Sequence, residues 1–340
     1  MPPYRTQVRE LHSRPDISAS EVIDRDHQMP AGGGDLKSYV CPSCHGPLLS
    51  NETGWHCLEE QVQFHRVNGI PDFILPARRV ALENFLAGYQ RVRRAEGWGS
   101  SEPARHRALP YPDHAENHVR LWEIRSQTFE SFLAHFIRQP SGLSRQVLDI
   151  GAGNCWFAAR LADLGYHVAA LDLNLDARDG LGALRMNTPR QRAAISPVRA
   201  DFHALPFPDG AFDFAVFNAS LHYSADPYGA IEETMRVLRP EGVLYIMDSP
   251  LYRDHNSGDK MIAERRYRFQ KQFEVDVRDE FTGSFLTTGM LETLEKKYCL
   301  EKIVPDYGLR WASRPVFARI LGKREPASFG IIALSRSFKR

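Results

Sequence analysis

The chain has 340 residues, 43% hydrophobic and 25% charged, with 43 Lys+Arg against 42 Asp+Glu for a formal net charge of +1. That length allows about two domains of ordinary size, with a core large enough to fold without disulfides. The balance of charge excludes a wholly basic nucleic-acid glove or an acidic tail protein, and no apolar run reaches the ~18–20 residues a membrane span needs.

Residues 1–37 are polar, lack the apolar stretch of a secretory leader and end in Ala31-Gly32-Gly33-Gly34. They predict a poorly ordered tail on a cytoplasmic protein. Residues 38–76 form a small unit that holds three of the five cysteines and ends in Gly69-Ile70-Pro71-Asp72-Phe73. Clustered thiols in such a compartment point to metal before disulfide. Residues 77–95 have helical spacing, and residues 97–113, rich in Gly, Ser and Pro, read as a linker or an ordered active-site loop. Residues 116–138 read as an amphipathic helix with Leu121, Ile124, Phe129, Phe132, Leu133 and Phe136 on one side.

From residue 145 the pattern alternates. Strands are expected at 146–150, 167–172, 196–200, 213–218, 242–248, 298–305 and 328–335, and helices at 155–164, 227–238 and 286–297. Such alternation predicts an α/β fold, a parallel sheet covered by helices on both faces. Residues 251–283 read as an amphipathic lid over a substrate, neutral overall despite Arg265-Arg266-Tyr267-Arg268-Phe269. The last 40 residues carry nine basic and three acidic side chains, which suits an anionic substrate, RNA or a plain soluble surface.

The most informative stretch is Val147-Leu148-Asp149-Ile150-Gly151-Ala152-Gly153-Asn154-Cys155-Trp156, a strand running through a Gly-x-Gly turn into a helix. Ligands of doubly wound sheets bind outside the carboxyl ends of the strands, and glycine lets them approach the backbone closely. The dinucleotide fingerprint fails, because its third glycine is replaced by Trp156. Asp149 is also a poor neighbour for a pyrophosphate and a good one for a cation. Asp172, 19 residues after Gly153, ends the second strand, where an acid can take both hydroxyls of a ribose. Asp201 beside Phe202 can hold the amino group and the face of an adenine.

The ordered set VLDIGAG, ALDLN, ADFHALPFPDGAFDFAVFNASLHY and RVLRPEGVLYIMD resembles class I S-adenosylmethionine-dependent methyltransferases of the methyltransferase-11 type, such as the quinone-biosynthesis enzymes. The resemblance covers residues 116–340. It implies a Rossmann-like seven-stranded sheet with the last strand antiparallel. It implies further that Asp149 and the turn Gly151, Ala152, Gly153 and Asn154 hold the methionine part, Asp172 and Leu173 the ribose, and Asp201 and Phe202 the adenine. Asn218 and Ala219 would lie beneath the reacting centre. Cys155 reads as packing. His222, after the fourth strand, is a candidate base or substrate orienter, with Tyr223, Asp248 and Tyr252 on the same rim.

Cys41-Pro42-Ser43-Cys44 is a C-x-x-C knuckle, and Cys57 follows 13 residues after Cys44. Thiolates so spaced suit tetrahedral zinc, whose binding energy can fold a small loop-rich unit. CPSCHGPL, WHCLEE and FHRVNGIPDFIL resemble zinc ribbons ending in Gly-Ile-Pro, as in bacterial ribosomal-RNA guanine methyltransferases and the activator subunit of tRNA and release-factor methyltransferases. That resemblance implies a fourth ligand three residues after Cys57, where this chain has Glu60; His45, His56 and His65 are alternatives. The expected division is thus a tail (1–37), a zinc-ribbon-like module (38–76), a helix and linker (77–115) and a methyltransferase domain (116–340). The expected substrate is a small molecule methylated on O, N or C, with RNA or a catalytically inactive binding module as alternatives.

Overall fold

The computed structural model describes residues 39–111, 118–136, 146–273 and 285–336. The expected tail over 1–37 lies outside the described residues, as do residues 274–283 of the expected lid.

The strands are β1 Leu49–Asn51, β2 Gly54–Cys57, β3 Val62–Val67, β4 Ile70–Asp72, β5 Gln146–Ile150, β6 His167–Asp172, β7 Ile195–Arg199, β8 Phe212–Asn218, β9 Leu238–Met247, β10 Leu251–Tyr252, β11 Leu286–Thr287, β12 Tyr298–Ile303 and β13 Ile331–Arg336. The helices are α1 Pro76–Ala95, α2 Pro103–Ala108, α3 Val119–Phe136, α4 Trp156–Asp163, α5 Pro189–Ala194, α6 Pro227–Val237, α7 His255–Phe273, α8 Thr288–Glu295, α9 Leu309–Ala312 and α10 Arg314–Ile320.

One sheet runs β1-β2-β3-β4-β7-β6-β5-β8-β9-β13-β12. Its last seven strands are the expected sheet: β7, β6, β5, β8 and β9 are parallel, and β13 lies antiparallel between β9 and β12. The central strands β5 and β8 are almost continuously buried, as strands covered on both faces must be. Buried Asp213 on β8 accepts the Gln146 N–H at 2.9 Å and pairs with Arg239, which fixes the two neighbours of that strand.

The strands of the cysteine-bearing module extend this sheet rather than stand beside it. β4 runs parallel to β7, with Asp72 opposite Arg199. The buried Asp72 carboxylate receives Arg199 and Arg79, each at 3.0 Å, and the Ile74 N–H at 3.0 Å. Those ion pairs weld the module to the sheet edge and fix the start of α1. The hydrophobic core continues across the junction: Cys41, Cys57, Phe64 and Phe73 pack in one cluster with Leu148, Ile150, Phe217 and Leu244. The opposite face of the sheet is covered by α3 and α4 through Trp122, Phe129, Phe132, Trp156 and Phe157. Two short caps set neighbouring helices: Thr188 and Gln191 form a reciprocal capping box on α5, and Asp226 accepts the Gly229 N–H on α6. No helix of the described residues is long and apolar enough to cross a membrane.

Candidate active site

At the end of β5 the chain turns through Gly151 (φ 74°) and Gly153 (φ 53°), both in the left-handed region that favours glycine. A side chain at Gly151 would meet Ser220 Cβ at 2.3 Å, so the turn is locked against the loop after β8. At Gly153 nothing lies within 4 Å of an added Cβ, and the backbone there faces open space. That space divides into a cavity of about 250 Å³, reached by Asp149, Ala152, Asn154, Asn218, His222 and Asp248, and a slot of about 80 Å³ lined by Asp172, Leu173, Ala200 and Phe202. Gly151, Gly153, Ala219 and Tyr223 border both.

Three acids behave differently. Asp149 is buried, and neither carboxylate oxygen has a hydrogen-bond partner. Burial and the nearby Asp172 charge push its pKa up to about 8, against the pull of the Ala158 amide, which lies outside hydrogen-bond geometry. Asp172 accepts the Gly153 N–H at 2.8 Å on one oxygen and the Asn174 N–H at 2.7 Å on the other. It therefore braces the glycine turn and still has lone pairs for hydroxyl donors. Burial raises its pKa, against the pull of those amides. Asp201 departs from its expected role. One oxygen takes Arg78 at 2.8 and 3.1 Å, the other takes the His203 ring and amide, and the residue lines neither cavity. Burial alone would raise its pKa, but those hydrogen bonds outweigh it and hold the carboxyl below its ordinary value. Its neighbour Phe202 does line the slot, edge-on to Phe217.

The far wall holds His222, Tyr223 and Asp248 together, as the rim reading expects, whereas Tyr252 points away to Arg324 at 3.3 Å. His222 is buried, 3.3 Å from Ser249 Oγ; burial and the positive Arg265 and Arg125 push its pKa down to about 3. Burial pushes Asp248 the other way, to about 6, against the pull of Arg125 and of a 2.9 Å hydrogen bond from Thr128. Asp248 (φ 52°) and Ala219 (φ 56°) are both non-glycine residues held in the left-handed region at strand ends. Such strain clusters where the surroundings fix a functional geometry.

The sequence did not single out the residues that close the cavity. Helix α1 lays Phe85 and Tyr89 over the slot, with Tyr89 edge-on to Tyr223 at 5.3 Å. Arg93 pairs with Asp179 through two bonds of 2.7 Å and stacks on Trp98. Arg125 faces Trp98 and Trp122 at 5.5 and 4.9 Å and has no hydrogen bond or ion pair among the described residues. The described part of the expected loop, residues 97–111, is thus part of the site, through Trp98, Gly99, Ser100 and Arg105. Cys155 is buried in the core and lines neither cavity.

In the N-terminal module the Sγ atoms of Cys41 and Cys44, in the turn before β1, and of Cys57, at the end of β2, lie within 4.8 Å of one another, with Cys44 and Cys57 at 3.6 Å. Three thiolates around tetrahedral zinc sit about 3.8 Å apart, so the triad fits three zinc ligands. Gly46 and Glu60 each point a backbone N–H at a sulfur, Cys44 and Cys57 respectively, at 3.4 Å. Glu60 therefore meets the cluster through its amide; no carboxylate or histidine among the described residues joins the three sulfurs. That corrects the expectation for Glu60 and leaves His45, His56 and His65 outside the cluster as well.

Residues 148–246 match the family model described as Methyltransferase domain. Over 104 residues the chain is 34% identical to the demethylmenaquinone methyltransferase of Renibacterium salmoninarum, covering 31% of this chain and 41% of that protein. Over 122 residues it is 30% identical to the malonyl-[acyl-carrier protein] O-methyltransferase of Enterobacter lignolyticus, covering 36% of this chain and 45% of that protein. The chain therefore spans less than half the length of these curated relatives. A solved S-adenosylmethionine-dependent methyltransferase from Methanosarcina mazei aligns with 58% of this chain and 95% of its own, at 22% identity and a TM-score of 0.39.

Proposed function

We propose that this chain, whose residues 148–246 match a methyltransferase-domain family, is a class I methyltransferase that binds S-adenosylmethionine and catalyses methyl transfer to a small-molecule nucleophile. Asp149 carries this reading. A buried carboxylate with both oxygens unpartnered, beneath a glycine turn facing open space, is an arrangement that a ligand ammonium group relieves. The remaining groups of the cofactor find matching chemistry. Arg125, which has no hydrogen bond or close ion pair among the described residues, suits the methionine carboxylate. Asp172 suits the ribose hydroxyls, and Leu173, Ala200 and Phe202 suit the adenine face.

When bound, S-adenosylmethionine supplies a methyl group already activated by its sulfonium. What is left to the protein is alignment and the handling of a proton. Tyr89 and Tyr223 line the cavity, and the face of an aromatic ring is a favourable neighbour for a sulfonium cation. A hydroxyl or ammonium acceptor needs a base, and the best base has a pKa near the working pH. His222 near 3 is too weak a base, so it serves to orient, while Asp248 near 6 is poised to accept a proton. Turnover is expected to rise with pH through about 6, as Asp248 ionises, and to level off above it. Asp248→Asn should lower the rate by about 100-fold or more and remove that limb, and His222→Gln should leave the limb in place. A pH–rate profile of the three proteins checks this. An unaltered profile in Asp248→Asn would exclude Asp248 as the base.

Incubation with methyl-labelled cofactor and a fractionated cell extract tests the acceptor class. Label in the small-molecule fraction is the expected result; label in RNA or in protein would overturn it. The name of the Renibacterium relative, a demethylmenaquinone methyltransferase, supports a small acceptor. For the cysteine triad we propose a structural zinc held by Cys41, Cys44 and Cys57. Purified protein is then expected to hold about one zinc per chain and to melt at lower temperature after chelation. Folded protein with less than about a tenth of an equivalent would remove the site.

A further inference from the structure

The basic C-terminal stretch gives Phe329 to the wall of the active cavity, but none of its cations lines that cavity. The structure places its charges beside apolar side chains that stand exposed among the described residues. Of the twelve large hydrophobic side chains exposed among the described residues, six lie within residues 304–321. They include Leu309 at 90%, Ile320 at 72% and Leu321 at 63% exposure. Helices α9 and α10 in this segment contain no buried residue. Helical spacing brings Val316, Phe317 and Ile320 to one side of α10. Between Asp306 and Glu325 the chain has five cations and no acid. Arg310, Arg319 and Lys323 are exposed and carry no ion pair among the described residues.

We propose that residues 304–323 dock the protein onto an anionic lipid surface. Short amphipathic helices with Leu, Phe and Trp on one side and Arg or Lys on the other lie in the lipid interface, held by apolar burial and by attraction to acidic headgroups. RNA would reward the cations but leave Leu309, Ile320 and Leu321 in water. An anionic bilayer accommodates both sets of side chains.

The segment also walls a groove of about 1250 Å³ that runs beneath α7 past Trp311 and Phe317. At its inner end Tyr307 and Thr128 share a 2.8 Å hydrogen bond, and Thr128 donates to Asp248. Trp311 packs 5.7 Å from Phe329, which itself lines the active cavity. A lipid-borne acceptor would therefore arrive beside Asp248. That last step rests on the methyl-transfer reading; the docking surface does not.

The test is flotation of the full chain with vesicles of phosphatidylcholine alone or mixed with phosphatidylglycerol. Calorimetry with S-adenosylmethionine is run on the same samples. Binding to the mixed vesicles is expected, weakened by salt. Ile320→Glu, an exposed position, should reduce it by about tenfold or more and leave cofactor affinity unchanged. Ile320→Leu should bind like the unaltered chain. Four results would overturn the proposal: no binding to anionic vesicles, binding indifferent to Ile320→Glu, retention of RNA in place of vesicles, or a lipid-free dimer that Ile320→Glu dissolves. Vesicle binding without cofactor binding would refute the methyl-transfer reading and leave the docking surface standing.

Discussion

Asp149→Asn is expected to make the ligand-free protein more stable near pH 8 and to destroy most of its affinity for S-adenosylmethionine. The first half follows from linkage. The folded carboxyl titrates at about 8 and the unfolded one at 3.8. Between those values the native state holds a proton that the unfolded state has released. The stability tied to the neutral form is complete below the unfolded value and is lost as pH rises through the folded value. A rise of about four units corresponds to about 5 kcal/mol at most. A buried asparagine amide without partners returns roughly 1–3 kcal/mol of that. The net gain near pH 8 is then about 2–4 kcal/mol, and the fall in melting temperature from pH 5 to 8 should flatten. The second half follows because a neutral amide cannot replace a carboxylate opposite an ammonium group. Melting curves at several pH values, paired with calorimetry, read both effects. A variant that melts no higher at pH 8 would mean that Asp149 already has a partner in the free protein.

Asp172→Ala is expected to weaken cofactor binding by about 100-fold, since two hydrogen bonds to an ionised group are each worth roughly 1.5 kcal/mol or more. Asp201→Ala is the contrast. Its carboxylate is committed to Arg78 and His203, so its loss should lower stability and leave affinity within a few-fold. Equal losses of affinity in the two variants would place Asp201 in the site after all.

What the sequence made legible was whatever is encoded locally. The strand-turn-helix at 146–163, the acid at the end of β6 and the alternation that builds the seven-stranded sheet all lie within short windows whose periodicity and glycines have one good explanation. The misses are contacts between distant residues. Helical spacing identified α1 but not that it roofs the slot, because that depends on Asp72 joining β4 to β7 and fixing where the helix starts. Arg125 was one cation among many on an amphipathic helix, and only the fold brings it to Trp98, 27 residues earlier. Asp201 sits beside a cavity residue in sequence, but Arg78, 123 residues away, claims its carboxylate. Glu60 has the expected spacing from Cys57, and it is the backbone amide, not the side chain, that reaches the sulfur. The basic tail was ambiguous for the same reason: charge can be counted in a sequence, but which apolar side chains remain uncovered cannot.

Isothermal titration of the full chain with S-adenosylmethionine and with its demethylated product addresses the main claim without any knowledge of the acceptor. Saturable binding of one molecule per chain, strongly weakened in both Asp172→Ala and Asp149→Asn, is the result expected from the unpartnered acid and the open glycine turn. Folded protein that gives no heat with either compound, or that binds a nicotinamide dinucleotide in their place, would contradict it.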